Sequence, residues 1–324
     1  MKGSKSRKSV QAFKGHNDYT SGNEEIMSRV LVLGAGGMLG HKLCQCLLEH
    51  EIVGTVKKDA GFYDKFPKIF RNVTLIGGVD VLDNEKLEKT IRNVAPDVII
   101  NCIGIIKQLK EANNAFLSVA INSYLPHKLA TLSAEIGTRL ISISTDCVFD
   151  GTRGGYCEND FSDARDLYGK SKFLGETTAE ETAAVTLRTS FIGRELTIPT
   201  HGLLEWFLAQ QGKTVRGFAK AIYSGSTTIE MARIMAMIIK DHPDICGVYQ
   251  VASKPITKYN LLCLIKDTFG LNVNITREED FCCDLSLNMD RFVQTTGYIV
   301  PSWEEMISQI SKDPTDYDNM RKHD

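Results

Sequence analysis

Apolar residues in this chain fall into short solid runs, separated by segments in which they recur at helical spacing. Residues 30–33 (Val-Leu-Val-Leu) form one such run and end in glycine, and residues 38–50 then set Leu39, Leu43, Leu47 and Leu48 along one helical face. Similar runs predict strands over 52–56, 73–76, 97–103, 139–144 and 184–189. The 3.6-residue period between them predicts helices around 84–94, over 115–136 and around Tyr168. Strands apolar on both faces that alternate with helices predict an α/β fold, a doubly wound parallel sheet of the Rossmann type.

After Ser190 the rhythm loosens. Helical patterns cover 201–211, 227–241, 259–269 and 303–310, with strand-like runs at 247–251 and 273–276. The expected organisation is a dinucleotide-binding domain over 29–192, with 222–253 returning to its sheet. Residues 193–221 and 254–312 then form a smaller C-terminal substrate-binding lobe. The first 28 residues are polar, rich in Lys, Ser, Gly and Asn, and read as a disordered tail, with Met27 an alternative start. Residues 313–324 read as a loose tail.

Composition narrows the function classes. The net charge of −2 gives no electrostatic reason to expect nucleic acid as a partner. No apolar run approaches the roughly 18 residues of a membrane-spanning helix, and the N-terminus has no apolar core of a secretory signal. The nine cysteines contain no Cys-x-x-Cys pair, so the expectation is reduced thiols in a cytoplasmic protein with no bound metal.

Two segments carry chemistry. The first is Gly34-Ala35-Gly36-Gly37-Met38-Leu39-Gly40, a glycine turn between a strand and a helix. Glycines three apart permit a tight turn, close approach of the backbone to a pyrophosphate, and close helix packing. The second predicted strand ends in Lys57-Lys58 rather than an acid, which favours a 2′-phosphate and hence NADPH, with NADH the alternative. Asp80 and Val81 follow the third strand and are placed to meet the adenine. Asn101, Cys102 and Gly104 end the fourth, on the nicotinamide side.

The second segment runs from Ser144-Thr145-Asp146-Cys147 to Tyr168-Gly169-Lys170-Ser171-Lys172. Tyr168 and Lys172 are four apart, on one helical face, and a lysine beside a phenol lowers its pKa. Thr145 at a strand end is placed to hold the same substrate oxygen. Together the three are equipment for moving a proton at a carbonyl during hydride transfer. Tyr124 and Lys128 share the spacing, but no hydroxyl-bearing strand end precedes them.

With these residues in hand, the chain resembles the extended short-chain dehydrogenases/reductases of the dTDP-4-dehydrorhamnose reductase family over about residues 29–312. The glycine turn, Asn101 to Gly104, Ser144-Thr145-Asp146, Val148-Phe149-Asp150-Gly151, Tyr168 to Lys172, Leu187-Arg188-Thr189 and Pro301-Ser302-Trp303 carry the likeness. The resemblance implies NADPH-dependent reduction of the 4-keto group of a nucleotide-linked deoxysugar in cell-surface polysaccharide synthesis. It makes Thr145, Tyr168 and Lys172 the catalytic set. It also points to Asp146, Cys147, Arg216 and Ser224 as substrate contacts, and to a homodimer built on a helix pair.

Cys147 stands where rhamnose-type reductases commonly have Tyr. The Glu of 4,6-dehydratases is absent there, which argues against that activity. In the related GDP-fucose synthases a Cys at this spacing works with a His as an epimerising pair, so Cys147 and His201 form an alternative, epimerase-reductase expectation. The regulatory subunit of methionine adenosyltransferase resembles the same reductases, and a non-catalytic NADP-binding role is the other alternative.

Overall fold

The computed structural model describes residues 27–178 and 183–321. Most of the N-terminal tail expected from the sequence therefore lies outside the described residues. Six parallel strands, β1 (Arg29–Leu33), β2 (Glu51–Thr55), β3 (Val73–Ile76), β4 (Val98–Asn101), β5 (Arg139–Thr145) and β6 (Val185–Thr189), lie in the order 3-2-1-4-5-6. That is the order of a doubly wound dinucleotide-binding sheet. β7 (Phe191–Ile192) pairs with β9 (Ser226–Thr227), and β10 (Gly247–Gln250) extends the main sheet beyond β6. β8 (Thr214–Tyr223) lies between β11 (Ile256–Thr257) and β12 (Asn274–Asp284) in a separate sheet.

Helices α1 (Gly40–Cys46), α2 (Pro67–Phe70), α3 (Asn84–Val94), α4 (Ala115–Ser118), α5 (Leu125–Ile136) and α6 (Leu167–Leu174) belong to the first part of the chain. They are followed by α7 (Leu203–Leu208), α8 (Thr228–Asp241), α9 (Lys258–Phe269), α10 (Asp290–Thr296), α11 (Trp303–Ser311) and α12 (Tyr317–Arg321). No helix among the described residues is long and apolar enough to cross a membrane.

Period-two alternation explains why the strands read as solid apolar runs. Val30 and Val32 of β1 face a core layer with Leu39 at the start of α1, Leu43 within it, and Met231, Met235 and Ile238 of α8. Leu31 and Leu33 face the opposite layer, with Leu87 and Ile91 of α3 and Leu125 and Leu129 of α5. Local stops bound the helices. The Asp83 side chain caps α3 by accepting from Lys86 N at 3.0 Å, and α5 ends at Gly137, whose φ of 71° glycine adopts without strain. A third core, around Leu204, Phe207, Leu261, Ile265, Trp303 and Ile307, fills the smaller lobe.

Four sequence expectations change. The run at 273–276 is the start of an 11-residue strand, and the ten-residue β8 beside it was not anticipated. β8 alternates buried and exposed positions around Gly217, Ala219 and Ala221, small residues that weaken its apolar signature. The helix expected over 201–211 is only Leu203–Leu208. α10, inside the span assigned to the lobe, instead packs Phe292 against Tyr249 of β10 with ring centres 6.1 Å apart. Residues 313–321 are not loose. Tyr317 is buried and Asp313 forms a buried ion pair with Lys42 at 2.5 Å, so a segment that reads as polar is held through its polar groups.

Candidate active site

The glycine turn joins β1 to α1 at the C-terminal edge of the sheet. Gly34 and Ala35 donate their N–H groups to Thr55 O at 3.2 and 3.0 Å, which anchors the turn on β2. Gly34 has φ 84°, and a side chain on Gly40 would overlap the carbonyl oxygen of Gly34. The turn thus needs its glycines to exist. Among the described residues the N–H groups of Gly36, Met38 and Leu39 enter no hydrogen bond, leaving donors of the kind a pyrophosphate takes. These features fit a dinucleotide. Gly36 has a second role: the Tyr63 phenol lies against it, where any Cβ would collide.

At the end of β2, Lys57 forms an ion pair with Asp80 at 2.9 Å, and this partner holds the Asp80 carboxyl below its usual range. Lys58 stands 3.6 Å from the centre of the Phe62 ring. Val81 is buried in the core layer with α3. The basic strand end is therefore present, with one of its lysines already engaged by the acid expected near the adenine.

The ends of β4 and β5 meet α6 next to the turn. Cys102 N donates to Leu33 O at 3.1 Å, and the Asn101 side chain accepts from Ile103 N at 3.1 Å, which bends the chain towards Gly104. A Cβ on Gly104 would stand 3.4 Å from Asn122 Oδ1 and 3.8 Å from Lys172 Nζ, so these three residues converge. Asn122 was not foreseen. It lies in the expected helix over 115–136, but at a π-helical turn, Val119–Tyr124, between α4 and α5. Its amide accepts from Ile105 N at 2.9 Å and donates to Ile105 O at 3.0 Å and to Ser171 Oγ at 3.2 Å. It ties the loop after β4 to α6, which carries Tyr168 and Lys172.

Lys172 is buried, and Nζ donates to Ile143 O at 2.6 Å. Desolvation pushes its pKa down to about 8, against the opposing pull of Glu176. Glu176 itself accepts from Ser144 Oγ at 2.5 Å and from Arg188 at 2.6 and 3.0 Å, a buried support under the end of β5 that the sequence did not single out. The Tyr168 phenol stands close enough to Thr145 for that hydroxyl to pull its pKa down, though no hydrogen bond joins the two side chains among the described residues. On balance the phenol is pushed up, first by burial and then by Cys147. The lowering expected from Lys172 is not among the influences on the phenol, and the ammonium is given to Ile143 O. Thr145 Oγ1 accepts from Cys147 N at 3.2 Å and donates to Asp146 Oδ1 at 3.1 Å.

Cys147 lies in this cluster, its thiol pushed well up by burial and by Asp146. No hydrogen bond joins it to His201 among the described residues. His201 N instead donates to the Glu195 carboxylate at 3.0 and 3.2 Å, and the adjoining Gly202 packs near Met38 of the glycine turn. Arg216 is exposed on the outer face of β8, 5.4 Å from the Phe218 ring centre. Ser224 is buried, its hydroxyl accepting from Leu287 N at 2.9 Å. The Tyr124/Lys128 copy is on the surface, where Lys128 donates to Asn84 Oδ1 at 2.7 Å. No group of His, Cys, Asp and Glu among the described residues is arranged to hold a metal ion.

A 3-2-1-4-5-6 parallel sheet, a glycine turn after β1 and a Thr-Tyr-Lys cluster at the same edge define a short-chain dehydrogenase/reductase. A family model described as the RmlD substrate binding domain matches residues 27–313, and the chain belongs to that family. It is 28% identical over 268 residues to the spore coat polysaccharide biosynthesis protein SpsK of Bacillus subtilis, covering 78% of this chain and 84% of that one. It is also 28% identical to methionine adenosyltransferase 2 subunit beta of Rattus norvegicus, covering 75% and 72%. In fold it is similar to dTDP-4-dehydrorhamnose reductase of Bacillus anthracis, solved with NADP. The TM-score is 0.68, with 20% identity and coverage of 87% and 98%.

Proposed function

We propose that this chain reduces the 4-keto group of a nucleotide-linked deoxysugar with NADPH, in the synthesis of a surface polysaccharide. The observation that carries the reading is the cluster of Thr145, Tyr168 and Lys172 beside the glycine turn. NADPH, when bound, supplies the hydride. The free N–H groups after Gly34 hold the pyrophosphate, and Lys57 and Lys58 face the 2′-phosphate. With substrate bound, Thr145 Oγ1 turns its proton from Asp146 Oδ1 to the ketone oxygen and fixes it, and Tyr168 Oη delivers the proton that completes the new hydroxyl. Lys172 and Asn122 hold α6 and the loop after β4 in register around that proton path. A protonated phenol at rest suits a reductase, which must give a proton rather than take one.

Purified protein incubated with NADPH and dTDP-4-dehydrorhamnose, with cofactor oxidation followed by absorbance and the product by NMR, tests the reading. Oxidation strictly dependent on the keto sugar is expected. The similarity to methionine adenosyltransferase 2 subunit beta supports a second reading, a non-catalytic NADP-binding subunit. NADP binding without turnover on any 4-keto sugar nucleotide, with a synthetase co-purifying, would favour it. Exposed Phe116, Val119, Tyr124, Phe173 and Leu174 lie on α4, the π-helical turn and α6, and we take them as the face of a homodimer. Free thiols and water-soluble substrates favour the cytoplasm.

A further inference from the structure

Two lines of contact converge on Met38 in the glycine turn, and both start in residues 313–321, a segment that reads from sequence as a loose tail. The first line reaches the backbone of Met38. The Tyr317 ring is buried among three cations, with Lys42 Nζ, Arg194 Cζ and Arg321 Cζ at 5.6, 4.8 and 5.7 Å from its centre. Its Oη stands 3.1 Å from Asp313 Oδ2 and 3.1 Å from Nε2 of the buried His41. His41 Nδ1 lies 2.8 Å from the carbonyl oxygen of Gly37, which also accepts from His41 N at 3.1 Å. Gly37 C=O and Met38 N–H belong to one trans peptide unit and point in opposite directions. Two donors of α1 on that oxygen therefore turn the Met38 N–H away from the helix, where it enters no hydrogen bond.

The second line reaches the Met38 side chain. Arg321, with only 11% of its side chain exposed, donates from Nε to the carbonyl oxygen of Glu195 at 2.8 Å and from Nη1 to the Glu205 carboxylate at 2.8 Å. Glu205 also accepts from Glu195 N at 3.0 Å, so both backbone groups of Glu195 are held. The Glu195 carboxylate in turn accepts from Gly202 N at 2.6 Å, which closes the loop between β7 and α7. Gly202 lies against Met38, since a Cβ on it would stand 2.5 Å from Met38 Cε.

We infer that Tyr317 and Arg321 are positioning residues for NADPH. Through them the C-terminal segment sets the Met38 N–H and the Met38 side chain in place before the cofactor arrives. A turn already ordered for its ligand loses less freedom on binding, so these two residues raise cofactor affinity without touching the cofactor. The coupling is reciprocal, and bound cofactor therefore stabilises the contacts of residues 313–321. The inference rests on cofactor binding, which the reductase and the non-catalytic readings share.

The test uses the full chain and two variants. Tyr317→Phe keeps the ring among its three cations and removes only Oη, and Arg321→Met removes the hold on Glu195. The Kd for NADPH, measured by titration calorimetry, is expected to rise about fivefold or more in each variant. Hydrogen exchange of the wild type is followed with and without saturating NADPH. Amides of residues 313–321 are expected to exchange more slowly with the cofactor, beyond any change in α9 of the smaller lobe. A segment that only stabilises the fold would not show that local response. An unchanged Kd in either variant overturns the inference, as does exchange over 313–321 that NADPH leaves as it was. Where a variant fails to fold, the wild-type exchange decides. A wild type that binds no NADPH removes the cofactor reading together with the inference, whereas binding that both variants keep removes the inference alone.

Discussion

Lys172 Nζ donates to the carbonyl oxygen of Ile143 at 2.6 Å, so α6 is fastened to β5 two residues before the Thr145 that shares its site. The bond fixes the lysine's direction at the expense of its solvation, and burial brings its pKa to about 8. This has a measurable consequence for stability.

The unfolded chain keeps the lysine proton up to about pH 10.4, whereas the folded chain loses it near pH 8. Between those values the unfolded state binds more protons, so stability contributed at this position rises with pH. Below pH 8 the charged, desolvated ammonium is a full burden. Urea unfolding of wild type and Lys172→Met at pH 7.5 and pH 10 should shift their difference in favour of wild type by up to about 3 kcal/mol. A difference independent of pH would contradict the buried, depressed lysine.

Tyr168→Phe keeps the ring and removes the proton donor. Turnover should fall by about 10²–10⁴-fold, while NADPH affinity, measured by fluorescence, stays within about twofold. Full activity in this variant would overturn the assignment of the proton path.

Gly40→Ala drives a methyl group into the carbonyl oxygen of Gly34, a backbone atom that cannot step aside without moving the turn. NADPH affinity should drop at least about tenfold, with a lower Tm. Gly137→Ala offers a contrast. Its Cβ meets nothing within 4 Å, so only the strain of φ 71° is felt, a loss of about 1 kcal/mol with cofactor binding intact.

Lys42 and Asp313 form an ion pair at 2.5 Å with side chains only 3% and 5% exposed. Asp313→Ala leaves the ammonium buried and uncompensated, and should cost about 3–5 kcal/mol in chemical denaturation. The double variant Lys42→Met, Asp313→Leu should recover most of that loss, because an apolar pair carries no desolvation cost. The segment after Asp313 reaches further. Tyr317 meets His41 Nε2 at 3.1 Å, His41 Nδ1 meets Gly37 O at 2.8 Å, and Arg321 pairs with Glu205. The C-terminal residues thereby brace both α1, behind the cofactor turn, and α7.

The amino-acid sequence by itself determined the features that local spacing encodes. Solid apolar runs specified buried parallel strands, and three glycines at intervals of three specified the turn. A tyrosine and a lysine four apart, after a strand ending in threonine, specified the group proposed to handle the proton. Each lies within one turn or one strand, where φ, ψ preferences and periodicity act. Tertiary structure decided the rest. Asn122 is 49 residues from the Ser171 it holds, and Asp313 is 271 from Lys42. Glu195 likewise holds the loop before α7 by accepting from His201 N at 3.0 and 3.2 Å, a contact no spacing announces. Partners brought together by packing leave no period in the sequence, since burial and charge compensation are properties of the assembled core.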